Sequence, residues 1–110
     1  MLNSCIFSGR FASDPKFFEG ENGSRCVFTL AIDRDRRNSE GVYEADFLDF
    51  VSWNGKANFV STHFAKGDPA IVTARAQVRR FTDKNGEQRR NVEFLVDNIY
   101  FGQGKRVEEG

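Results

Sequence analysis

Ala45-Asp46-Phe47-Leu48-Asp49-Phe50-Val51-Ser52-Trp53 runs directly into Asn54-Gly55-Lys56, and this stretch decides the fold. Leu48 and Phe50 fall on one side of the alternation; Phe47, Val51 and Trp53 fall on the other. That period of two is the mark of a strand. Large rings stand on both sides, so one side need not be core. Asn54 suits a helix N-cap. Beyond it Ala57, Val60 and Phe64, with Phe59 and His63, have helical spacing, and Gly67 after Lys66 reads as the stop signal. A strand with two ring-bearing sides therefore feeds a helix.

The flanks supply the rest of the sheet. Leu2 to Phe11 alternates, with Gly9 marking a bulge or sharp bend. Asp14-Pro15 and Gly20-Glu21-Asn22-Gly23 read as a turn-rich connection. Arg25 to Asp33 is a second strand, with Cys26, Phe28, Leu30 and Ile32 on its apolar side. Arg34 to Glu44 is polar, contains Gly41 and reads as a mobile hairpin loop. After Pro69 a fourth strand covers Ala70 to Phe81. Asp83-Lys84-Asn85-Gly86 is a hairpin tip, because Asn-Gly tolerates the positive φ that tight hairpins require. A fifth strand covers Asn91 to Phe101. Three strands, a helix and two strands predict an all-β domain with one helix: an OB-fold, the five-stranded Greek-key barrel with a helix between strands three and four.

Composition narrows the function. The chain has 110 residues, which predicts one domain, and 39% of them are hydrophobic, enough for a packed core. No basic–apolar–small N-terminal signal and no apolar run near the ~20 residues of a membrane span appear, so an intracellular protein without membrane attachment is expected. Cys5 and Cys26 are expected as buried thiols, on strands that could neighbour one another and so permit an accidental oxidative link. The formal net charge is zero, which argues weakly against nucleic acid. Its distribution argues the other way: arginines cluster at Arg34, Arg36 and Arg37, at Arg75, Arg79 and Arg80, and at Arg89 and Arg90. The 12 Phe, with one Trp and two Tyr, exceed what a small aliphatic core needs, which predicts rings at the surface.

Strand parity predicts which rings. Phe47, Asp49, Val51 and Trp53 share one side of strand three; Arg75, Gln77, Arg79 and Phe81 share one side of strand four. The opposite sides, Leu48 and Phe50 or Ala74, Ala76 and Val78, suit burial. Rings beside arginines are what single-stranded nucleic acid asks of a surface. Every base has a flat π-face to stack, and basic side chains track the phosphates. Phe47, Trp53 and Phe81 are the expected stacking rings. Phe7, Phe28, Phe50, Phe59, Phe64 and Phe94 are expected in the core, and Tyr43 either stacks or covers the barrel edge. Arg10, Arg34, Arg36, Arg37, Lys56, Arg75, Arg79, Arg80, Lys84, Arg89 and Arg90 are the expected phosphate or base contacts. An enzyme is not expected: His63 is the only histidine, and Asp46 and Asp49, three apart on a strand, point to opposite sides. No metal or other cofactor is expected. The rival reading is a protein-interaction module, such as a replication-restart accessory subunit, whose exposed rings bury against a partner.

The chain also resembles the bacterial and phage single-stranded DNA-binding protein family. The likeness runs through Met1-Leu2-Asn3, Gly9-Arg10, Asp14-Pro15, Phe28 to Arg34, Ala45-Asp46-Phe47 to Trp53, Gly55-Lys56, Lys66-Gly67 and Phe81 to Gly86, and covers residues 1–102. It implies sequence-independent binding that protects single strands in replication, recombination and repair, in the cytoplasm of a bacterial or phage-infected cell. It implies a homotetramer as well. Three of the family's four stacking positions map onto Phe47, Trp53 and Phe81; the fourth falls near Arg36, where no ring stands. Asp49 is a second departure, a negative charge between two rings. The resemblance also implies a tail with an acidic, aromatic tip that recruits partners. Residues 103–110, expected to be a disordered tail, lack that tip, so tail-mediated partners are not expected.

Overall fold

β1 (Cys5–Phe11), β2 (Lys16–Gly20), β3 (Gly23–Arg37), β4 (Tyr43–Trp53), β5 (Pro69–Thr82) and β6 (Gln88–Phe101) form one sheet in the order β1-β5-β6-β4-β3-β2 in a computed structural model that describes residues 1–103. Arg10 and Phe11 of β1 also pair with Ala31 and Leu30 of β3, which closes β1, β5, β6, β4 and β3 into a ring. β4 and β6 run parallel through Phe50–Phe94 and Val51–Leu95, and the other pairings are antiparallel. The helix α1 (Gly55–His63) lies between the third and fourth strands of that ring. This is the OB-fold barrel, with β2 added outside it. Of the expected tail only Gln103 is described; residues 104–110 lie outside the described residues.

Aromatic rings fill the barrel. Phe64, Phe11, Phe28 and Phe50 form a column with successive centroids 5.0, 4.8 and 5.2 Å apart, all near parallel. Phe7 closes it edge-on against Phe50 and Phe94. Each such pair adds about 0.5–1.5 kcal/mol beyond the area it buries. Phe7, Phe59 and Phe94 are partly buried against this cluster, and the other expected core rings are buried within it. Gly9 lets β1 close the ring, since a Cβ there would stand 2.6 Å from the Ala31 carbonyl oxygen.

Several expectations are corrected. The connection between β1 and β3 holds a sixth strand, because Gly20 and Gly23 pair across a tight Glu21-Asn22 turn and fold β2 back onto β3. All five residues of β2 are exposed, so it carried no burial alternation to read. The supposed loop Arg34 to Glu44 is mostly strand. It shrinks to residues 38–42, where the Asn38 side chain accepts the backbone N–H groups of Glu40 and Val42. Strand one begins at Cys5, although the Asn3 amide continues the pairing through two hydrogen bonds with the Ala76 backbone. The helix ends at His63, with Phe64 already extended. Gly67, at φ 90°, instead turns the chain into β5.

Asn54 does not cap the helix with its side chain. It sits at φ 54°, and its Oδ1 accepts the Ser24 N–H at 3.3 Å. Cys5 lies opposite Ala74 and is half-buried, whereas Cys26 lies between Phe17 and Ser52. The only β1–β3 pairs are Arg10–Ala31 and Phe11–Leu30. The position facing Cys26 therefore falls beyond the end of β1, and the two thiols are not neighbours. Burial pushes the Cys26 thiol up to about 11, which leaves it protonated and unreactive at neutral pH.

Candidate nucleic-acid interface

β4 presents a stripe of rings on its outer side. Tyr43, Phe47 and Trp53 alternate with inward residues and are 50, 65 and 45% exposed. Four and six residues of strand separate them, roughly 13 and 20 Å at ~3.3 Å per residue. Tyr43 opens β4 and is not on a loop, so it belongs to the stripe. Val51 shares the parity yet is only 4% exposed. It lies in the middle of the wall, between Val27 of β3 and Leu95 of β6.

Cross-strand register puts an arginine in the row of each ring, since facing residues of paired strands project to the same side. Phe47 faces Ala31, which faces Arg10 of β1. Trp53 faces Arg25, which faces Phe18 of β2. Tyr43 faces Arg37, whose guanidinium carbon lies 4.9 Å from the Tyr43 ring centroid. Sequence reasoning missed Arg25 and Phe18 because it had no β2 to supply their row.

A groove of about 280 Å³ runs from this stripe toward the β5–β6 hairpin. Lys16, Val27, Thr29 and Asp49 line one side of it; Arg79, Asn91, Val92 and Glu93 line the other. Asp49 accepts a hydrogen bond from Thr29 Oγ1 at 2.8 Å and, among the described residues, makes no ion pair with an arginine. The groove is therefore of mixed charge, with Lys16 and Arg79 set against Asp14, Asp49 and Glu93.

All eleven cationic residues expected to touch phosphate or bases are exposed. Three are engaged internally. Arg34 binds Asp46 at 2.8 Å and Glu44 at 3.4 Å. Arg89 binds Asp83 at 3.0 Å and Glu87 at 3.1 Å. Arg10 meets Asp33 at 3.4 Å. The hydrogen bond from Arg34 holds the Asp46 carboxyl below the usual value, and Arg89 does the same for Asp83 together with backbone N–H groups. Arg36, Arg37, Lys56, Arg75, Arg79, Arg80 and Lys84 make no ion pair among the described residues. Phe81 is half-buried on the far part of the β5–β6 hairpin, facing Arg89, and is not part of the β4 stripe. Val78 corrects the expected core side of strand four. It faces Val92 and both are 54% exposed, because the hairpin has left the barrel by that point.

A closed OB barrel with rings and cations along an outer strand defines a class of oligomer-binding scaffold. The comparisons narrow that class. The family model described as "Single-strand binding protein family" matches residues 2–102, and the chain belongs to that family. A "Single-stranded DNA-binding protein 1" of Staphylococcus aureus is 33% identical over 110 residues, covering 99% of this chain and 70% of the relative. A "Single-stranded DNA-binding protein 2" of another S. aureus strain is 34% identical over 106 residues, covering 96% and 75%. The crystal structure of a small single-stranded DNA-binding protein from Streptomyces coelicolor superposes with a TM-score of 0.73 at 22% identity, covering 94% of this chain and 97% of that one. That likeness shows the shared fold.

Proposed function

We propose that this protein binds single-stranded DNA with little regard to sequence, and that it does so without a chemical step. The observation that carries the reading is the β4 stripe, three exposed rings each with an arginine in its cross-strand row. Bases stack on Tyr43, Phe47 and Trp53, and on Phe81 where the strand reaches the second hairpin. Phosphates meet Arg79 across the groove and Arg75, Arg80 and Lys84 along the hairpin. Arg36, Arg37 and Lys56 add charge near the rings. Stacking at roughly 1–3 kcal/mol per base tolerates any sequence. The reading extends to protection of single strands during replication, recombination and repair, in the cytoplasm of a bacterial or phage-infected cell, and membership of the family supports it.

A homotetramer accords with the fold. Ile6, Ile71 and Tyr100, on the outer side of β1, β5 and β6, are 72, 37 and 53% exposed and give copies of the chain an apolar surface to share. The decisive experiment is a salt-titrated binding curve with oligo-dT, followed by Trp53 fluorescence. Binding weakens steeply as salt rises, because phosphate contacts release counterions, and duplex of the same length binds far less well. Salt-independent binding, or equal affinity for duplex, contradicts the reading and favours the protein-interaction module.

A further inference from the structure

We infer that Phe18 is an additional stacking position, joined to Trp53 through Arg25, so that a bound strand continues off β4 and across β3 onto β2. The inference rests on the proposed binding of single-stranded DNA and extends its path.

Three observations carry it. First, Phe18, Arg25 and Trp53 form one cross-strand row, each facing the next. Neighbouring strands lie about 4.8 Å apart, so the two rings stand roughly 10 Å from each other with the guanidinium stem between them. Second, the Arg25 guanidinium carbon lies 4.9 Å from the Phe18 ring centroid. That contact holds a cation against an aromatic face beside a second exposed ring, and Arg25 makes no ion pair among the described residues. Third, Phe18 has no part in the core cluster. Its neighbour Phe17 faces Cys26 on the opposite side of β2 and is 39% exposed, while Phe18 shares the side of Arg25 and Trp53 and is 46% exposed, as much as Trp53. Lys16 shares its side of β2 and lines the groove, whereas Glu19 projects the other way. The row sets a cation between two exposed rings, across the strands and not along β4.

The test uses fluorescence anisotropy with a labelled oligo-dT of about 16 nucleotides, the upper span of one OB fold. Unaltered protein is compared with Phe18→Ala, Phe18→Leu, Phe18→Tyr and Trp53→Ala, with a melting temperature for each. Phe18→Ala and Phe18→Leu are expected to bind about tenfold more weakly, the lower part of the range for one lost base stack. Phe18→Tyr keeps its affinity, and all three Phe18 variants melt near the unaltered protein. Full affinity in Phe18→Leu overturns the inference, since leucine keeps apolar cover but has no π-face. So does a loss in Phe18→Tyr equal to that in Phe18→Ala. Failure of the underlying reading looks different: the unaltered protein then binds no oligo-dT.

Discussion

Residues 33–47, the outer part of the β3–β4 hairpin, hold three basic side chains against five acidic ones, whereas residues 75–93, on the β5–β6 hairpin, hold six basic against three acidic. The rings are distributed in the opposite sense. Tyr43 and Phe47 stand exposed on the first arm, and the second offers only the half-buried Phe81. One arginine on each arm is held by two carboxylates, Arg34 by Glu44 and Asp46 and Arg89 by Asp83 and Glu87, while Arg36 and Arg37 on the first arm and Arg75, Arg79, Arg80 and Lys84 on the second make no ion pair among the described residues. A net charge of zero thus conceals an uneven distribution, and on the proposed reading one arm would supply π-faces and the other phosphate attraction. The groove between Asp49 and Arg79 is where the two meet.

Four measurements break or sharpen this contrast. Removing both rings nearest the groove, Phe47→Ala with Trp53→Ala, should cost about 2–6 kcal/mol of oligo-dT affinity at fixed salt, two stacking contacts' worth. Anisotropy with a labelled oligomer reads the loss, and the slope of affinity against salt should stay unchanged. Arg79→Ala with Arg80→Ala should act in the reverse manner. The salt slope flattens by ~1.4, at ~0.7 for each phosphate contact to a single strand, while Trp53 fluorescence still responds at saturation. A flattened slope in the ring variant, or a steady one in the arginine variant, dissolves the division.

Glu44→Gln with Asp46→Asn should make the first arm resemble the second. Arg34 is released, so affinity rises a few-fold at low salt and the slope steepens by up to ~0.7. An unchanged slope would mean that Arg34 lies off the path of the strand. The smallest effect is on stability with pH. Asp46 and Asp83 are both held below the ordinary 3.8 in the folded protein. Their contribution is therefore present above pH 3.8 and is lost as the pH falls through their lower folded values. Thermal melts below pH 3.8 should show this loss in the unaltered protein and less of it in Arg34→Ala or Arg89→Ala.

Much of this was legible in the sequence, for physical reasons. Alternation in Ala45 to Trp53 puts Leu48 and Phe50 inward and Phe47 and Trp53 outward, and the barrel keeps that parity. The helix and the two late strands follow from equally local signals. What escaped depends on neighbours. Val51 has the parity of a surface residue, but the parallel partner Leu95 and the antiparallel partner Val27 enclose it. Val78 has the parity of a core residue, but its hairpin extends past the core. β2 pairs with β3 alone and is exposed throughout, so burial wrote no pattern into Lys16 to Gly20. Charge clusters named the arginines but not their partners, and only the fold brings Asp46 onto Arg34.

The contact between Asn54 and the β2–β3 turn has a consequence for recognition. Asn54 donates its backbone N–H to the Ser24 carbonyl at 2.8 Å and accepts the Ser24 N–H on its Oδ1. A Cβ at Gly23, which sits at φ 112°, would collide with that same oxygen. Ser24 precedes Arg25, and Asn54 follows Trp53, so this double tie clamps the end of β4 to the start of β3. Trp53 and Arg25 face each other at that junction, with Phe18 next in the row. Their spacing is set by strand pairing, so a single strand laid along them, as proposed, would meet a surface that needs less ordering.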